Sequence, residues 1–212
     1  MNKIIPPTKI GDFHQTGKRK RLINAKECQF DMKEPLILIF NAYHKAVELY
    51  NSEIRLTNPQ DRVRGMEASY FNAKLMQCLR EVFPNNLKRG KYGRMFLYSN
   101  EYIVLFKKLD KNRKPMNIRT KLSSSIENQL QGNLFGNEED GTSPIIFFGY
   151  SKSPIGEMIR PRIVYIDEEC IKWTIEEKDI LPQKEATLFP VQTLDEAHAS
   201  VKPHLKVKKK VN

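Results

Sequence analysis

The chain carries none of the short motifs that mark the readily recognised enzyme classes. It has no GxxxxGK(S/T) phosphate loop, no GxGxxG dinucleotide turn, no GxSxG nucleophile elbow and no HExxH zinc helix. Only three cysteines are present, Cys28, Cys78 and Cys170, far apart and forming no CxxC pair. That spacing argues against structural zinc and against a disulfide framework, and points to a reducing compartment. The four histidines are equally scattered. Long apolar runs are missing too: the longest, Leu36 to Phe40, falls far short of the ~18–20 residues that span a membrane. The N-terminal residues lack the apolar core of a signal peptide. The expectation is a cytoplasmic protein with no membrane partner, no metal and no cofactor.

What the chain has in excess is positive charge, 36 Lys and Arg against 25 Asp and Glu, a formal +11 over 212 residues. The excess is local. Residues 86–121 hold eleven basic and two acidic residues, a net +9, and residues 1–22 and 202–212 carry +5 each. Everything between sums to −8. Charge concentrated in this way suggests a polyanionic partner. Residues 1–30 and 181–212 read as flexible basic tails, because their charges repel and no helical or strand period organises them. Between them, residues 31–180 form one domain, long enough for a real core.

Hydrophobic spacing sets the fold class. Residues 35–51 place Leu36, Ile39, Phe40, Tyr43, Val47 and Tyr50 at helical intervals behind Pro35, which suits a first turn. Asn58-Pro59 interrupts the pattern, and residues 60–82 read as a second helix that Pro84 stops. Residues 92–109 read as a β-hairpin turning at Ser99, Asn100 and Glu101, with aromatic and β-branched residues on both faces of both arms. A basic loop containing Pro115 leads to a short helix over 120–131 and a Gly/Asn/acid-rich loop over 132–143. Residues 145–150 read as a strand and 161–175 as a second hairpin. This order predicts an α+β fold: two N-terminal helices packed on a mainly antiparallel sheet of about five strands, with one inserted helix.

The strongest functional signal is geometric. Lys88, Arg89, Lys91 and Arg94 precede the first hairpin; Lys107, Lys108, Lys111, Arg113, Lys114, Arg119 and Lys121 follow it. Antiparallel pairing brings the start of one arm to the end of the other, so the two clusters converge at the open end. Forked guanidinium donors and ammonium charges there suit phosphate oxygens. The expected partner is nucleic acid, DNA or RNA, held by its backbone. Phe96 and Phe106 read as core, and Tyr92 as the ring most available for stacking.

Two other readings stay open. A metal-dependent nuclease or RNase-type toxin would draw its carboxylates from Glu67, Glu101 and Asp110, with Lys107 and Lys108 nearby. The carboxylate-x-lysine spacing of such sites is absent. Alternatively the basic surface docks an acidic protein, and the chain is a non-enzymatic adaptor. His44 and Glu48, four apart on the first helix, are placed to pair. Gln131-Gly132-Asn133-Leu134-Phe135 has the form of the QxxLF peptides that dock on bacterial sliding clamps, and equally of a loop anchored on the core.

The run Phe106-Lys107-Lys108-Leu109-Asp110, followed by Pro115, Asn117-Ile118, Thr120-Lys121, Gln129, Gly149-Tyr150 and Trp173, resembles a family of uncharacterised bacterial proteins over residues 35–178. Members of that kind sit among mobile-element or phage-defence genes. The resemblance implies a bacterial host and a nucleic-acid or toxin-like role, and it brings no catalytic residue with it.

Overall fold

The computed structural model describes residues 19–90, 93–130 and 142–180. Among these, four α-helices and six strands follow in the order α1 (Ala25–Asp31), α2 (Lys33–Ile54), α3 (Met66–Val82), β1 (Leu87–Arg89), β2 (Met95–Ser99), β3 (Tyr102–Lys108), α4 (Lys121–Glu127), β4 (Ile145–Lys152), β5 (Met158–Asp167) and β6 (Cys170–Glu176). The strands make one sheet in chain order. Neighbours are antiparallel except β3 and β4, which are parallel. The inserted helix α4 explains that exception, because a parallel neighbour requires the chain to cross back to the other end of the sheet. The fold is α+β as expected, with six strands instead of about five. The extra one is β1, three residues long and too short to show a period.

The β2–β3 and β5–β6 hairpins each turn through two residues at positive φ. Asn100 and Glu101 lie at 48° and 64°, Glu168 and Glu169 at 52° and 56°. This left-handed pair is the type I′ geometry, whose twist matches that of the flanking strands. Strand alternation then divides the core in two. Leu97, Tyr102, Val104, Phe106, Ile146, Phe148 and Tyr150 face the N-terminal helices. Phe96, Ile103, Leu105, Leu109, Ile145 and Phe147 face α4 and its Ile126. On the first face the rings interlock edge to face: Phe40 of α2 against Phe148, and Phe71 of α3 against Tyr150, 4.7 Å between centroids.

Residues 19–30, expected as part of a flexible tail, are built into this core. Asn24 caps α1, accepting from the Glu27 amide at 2.9 Å while the Glu27 side chain returns to the Asn24 amide. Ile23 and Cys28 are buried, and burial pushes the Cys28 thiol up to about 12. The basic run is consumed locally. Arg19 pairs with Asp167 at 2.7 Å, Arg21 pairs with Glu27 at 2.7 Å, and Lys20 is buried. Arg21 also lies over the Tyr102 ring, whose hydroxyl donates to Asp31. Residues 19–30 are not a tail because Arg19 has its acidic partner on β5, far away in sequence, and Ile23 and Cys28 are buried in the core. Residues 1–18, 131–141 and 181–212, and with them the remaining tail and QxxLF readings, lie outside the described residues.

Two residues hold β4 in place. Gln129, fully buried with φ 54°, donates from Nε2 to the carbonyls of Ile145 (2.9 Å) and Ile166 (2.7 Å) and accepts from the Ile145 amide (2.9 Å). Gly149 allows Leu109 to lie against the strand: a Cβ at 149 would stand 2.4 Å from Leu109 Cγ. Leu109 therefore occupies the volume that a side chain at position 149 would fill.

Candidate nucleic-acid interface

The predicted convergence of charge takes shape at one end of the sheet. Phe96 pairs with Leu105, so two residues outward Arg94 comes beside Lys107. Burial, then the neighbouring Arg94 guanidinium, lowers the pKa of the Lys107 ammonium. Arg89 pairs with Met95, and its guanidinium lies over Gly93, where a Cβ would come within 3.1 Å. Lys88, in β1, places its ammonium over the Tyr98 ring, 4.7 Å from the centroid.

Two cavities open beside this cluster at the carboxyl ends of β3 and β4. The first, about 400 Å³, lies between the start of α3 and the sheet and is lined by Arg62, Arg64, Gly65, Glu67, Lys108, Tyr150 and Lys152 among others. The second, about 590 Å³, is lined by Lys108, Asp110, Lys111, Arg113, Lys152, Arg160 and Arg162 among others. Lys108 and Lys152 border both, so the two adjoin along a groove over the strand ends. Those ends belong to the one parallel pair of the sheet.

The groove's lining has eight cationic side chains and two carboxylates, Glu67 and Asp110. Both carboxylates are engaged within the protein. Glu67 accepts from the Lys152 ammonium and from Arg62 Nη1 at 3.3 Å. Lys152, and then Arg62, hold its carboxyl below the ordinary carboxylate value against the opposing effect of burial. Asp110 Oδ1 accepts the amides of Asn112 and Lys114, each at 2.8 Å, and so shapes the loop after β3. Arg162 is nearly buried and reaches Glu176 at 3.5 Å. The other five cations, Arg64, Lys108, Lys111, Arg113 and Arg160, enter no salt bridge with a described residue.

Backbone geometry singles out the same groove. Apart from the β2–β3 and β5–β6 turns and Gln129, the non-glycine residues at positive φ among those described are Arg113 (63°) and Arg160 (56°). Both sit in a conformation that L residues avoid, which costs free energy and clusters at functional sites. The first cavity also contains the N-terminus of α3, which Gly65 (φ 84°) opens and no side chain caps. Its partial positive charge adds to the field of the arginines.

The sequence-derived candidates divide accordingly. Lys108, Lys111 and Arg113 line the groove, with Arg89, Arg94 and Lys107 at the same end of the sheet. Lys114 and Arg119 do not join them: both are held by Glu169 in the β5–β6 turn, Lys114 through the carbonyl at 2.6 Å and Arg119 through the carboxylate at 2.8 Å. Lys121 opens α4 and Lys88 lies over the Tyr98 ring, while Lys91 and Tyr92 lie outside the described residues. Phe96, Tyr102 and Phe106 are core, as their positions on apolar faces required.

The nuclease constellation does not assemble. Glu101 lies in the β2–β3 turn, the seven-residue length of β3 away from Asp110, about 23 Å at 3.3 Å per residue. Among the described residues no three His, Cys, Asp or Glu side chains are grouped to hold a metal. His44 pairs with Glu177 at 2.9 Å, not with Glu48, because the start of the segment after β6 passes over α2. Five groove residues escaped sequence reasoning: Arg62, Arg64, Lys152, Arg160 and Arg162. They sit in stretches whose net charge is zero or negative, and summing charge over windows hides a few cations that the fold brings to one place. A usable signal was present in the Lys152–Arg162 stretch, where three cations flank a Pro-Ile-Gly turn.

No family model, curated protein or solved structure matches the chain. No helix among the described residues is long and apolar enough to cross a membrane.

Proposed function

We propose that the protein binds nucleic acid through its phosphate backbone, in the groove over the carboxyl ends of β3 and β4. The observation that carries this reading is the grouping of eight cations around two adjoining cavities, five of them without a salt bridge to any described residue. Like charges held together at a solvent-filled groove repel one another, and a polyanion laid along it relieves that repulsion while releasing its own counterions. The two cavities are larger than one phosphate requires and both are lined by several cations, which suits a chain of phosphates. The resemblance to bacterial mobile-element and defence proteins agrees with such a role.

The test is binding of labelled duplex DNA and RNA across 50–200 mM salt. If the five cations without a salt bridge to a described residue each neutralise a phosphate, log K falls against log salt with a slope of about −4.5 on duplex DNA. Lys111→Glu with Arg113→Glu removes about two contacts, so the slope should flatten by about 2. An unchanged slope and affinity in that variant would overturn the assignment of the groove.

A further inference from the structure

We propose that the tip of the β4–β5 hairpin is an apolar wedge that enters the base stack of duplex DNA while the groove at its foot holds the phosphates. This rests on the backbone-binding reading above and adds a substrate class to it. Ile155 stands at the tip and is 81% exposed. The turn beneath it is stiff: the Gly156 amide donates to the Ser153 carbonyl (3.0 Å), the Glu157 amide to Ser153 Oγ (3.0 Å), and the Ser153 amide to the Glu157 carbonyl (2.8 Å). Pro154 fixes one φ and Gly156, at φ 97°, closes the loop. Nothing in this turn requires an apolar residue at position 155.

The foot of the hairpin is cationic on both arms, with Lys152 on β4 and Arg160 on β5, and both line the groove. The ladder is interrupted between Gly149 and Ser151, an irregularity of the kind that bends a strand pair. Two more exposed apolar side chains, Val63 (71%) and Met116 (55%), line the two cavities. Exposed apolar side chains and cations thus line the same two cavities at the foot of the hairpin. That combination is how proteins kink duplex DNA: Ile, Pro or Met separates a base step while Lys and Arg hold the flanking phosphates. A lipid surface would suit cations spread on a flat face; here they line concave cavities. The flexible TA step is the cheapest to open, so it is the preferred point of entry.

The experiment uses the full chain and a duplex carrying 2-aminopurine at a central TA step. Binding should raise the fluorescence of the unstacked base. Ile155→Ser should abolish the rise and weaken binding about tenfold, as expected for one buried isoleucine, with the salt slope unchanged. A duplex with an A-tract at that position should bind the wild type more weakly and Ile155→Ser about equally. Binding with an unchanged salt slope but no fluorescence rise in the wild type would overturn the wedge and leave the groove standing. No salt-dependent DNA binding at all would overturn the groove reading itself. Ile155-dependent capture by anionic phosphatidylserine vesicles without a fluorescence rise on DNA would replace the wedge by a membrane contact.

Discussion

Replacing Gly149 by alanine should destabilise the protein, and the penalty should vanish when Leu109 is shortened. The added Cβ would lie 2.4, 2.5 and 2.6 Å from three carbons of the Leu109 side chain, whereas carbon atoms in contact sit at about 3.5–4.0 Å. Leu109 has little freedom to withdraw. It is buried, its amide donates to Tyr150 at 2.8 Å, and it bridges to Pro115. Overpacking of this kind costs about 1–3 kcal/mol, and the constraint on Leu109 places this case near 3. The lost freedom of glycine in the unfolded chain returns about 0.4–1 kcal/mol. The net is about 2 kcal/mol, or about 4–8 °C in Tm for a chain of this size. Leu109→Ala alone should cost about 2–5 kcal/mol through its cavity. In that background Gly149→Ala should be neutral or slightly stabilising, because its methyl group enters the space vacated. Urea unfolding of the four proteins, with m values checked for constancy, measures the coupling. Equal destabilisation by Gly149→Ala in both backgrounds would refute the close-approach argument. Because Leu109 lies between Lys108 and Asp110, the single variant should also bind DNA less tightly, and the double variant should recover part of the loss.

Gln129→Glu should be more destabilising than Gln129→Leu near neutral pH, since a carboxylate faces two carbonyl oxygens where the amide donated; Leu strands three buried backbone groups at about 1–3 kcal/mol each. Acidification should partly rescue the Glu variant as its carboxyl takes a proton, and urea midpoints across pH would show it. Glu67 has its pKa depressed by Lys152 and Arg62, so its contribution to stability is present above the ordinary carboxylate pKa and is lost as pH falls through the lower, folded value. Glu67→Gln should therefore flatten the acid side of the stability profile. The same variant releases two groove cations and should tighten DNA binding at 100 mM salt, whereas a nuclease using Glu67 would lose its cleavage; a DNA-binding titration and a cleavage assay with Mg²⁺ on one preparation separate the two.

The two helices, both hairpins and the inserted helix were legible from local chemistry. Leu36, Ile39, Phe40 and Tyr43 recur at helical spacing, Asn100-Glu101 breaks two apolar runs, and Thr120 stands where α4 begins. α1 was missed because its burial comes from distant partners: Asp31 receives the Tyr102 hydroxyl, and Trp173 donates its indole N–H to the Ile23 carbonyl. The same reason removed Lys114 and Arg119 from the candidate site, since Glu169 lies beyond the span of any local pattern.

The sequence by itself determined the α+β class, the two apolar faces of the central hairpin and the meeting of Arg94 with Lys107, because each follows from periodicity and strand pairing within one short segment. Only the tertiary structure decided which charges remain available. An ion pair depends on a few ångströms of separation between residues far apart in the chain, and so does a groove. Arg19 and Arg119 found distant carboxylates and were withdrawn, while Arg64 and Arg160, from neutral or acidic stretches, were carried to the ends of β3 and β4 without a salt bridge to any described residue, beside Arg62, Lys152 and Arg162, which keep ion pairs there.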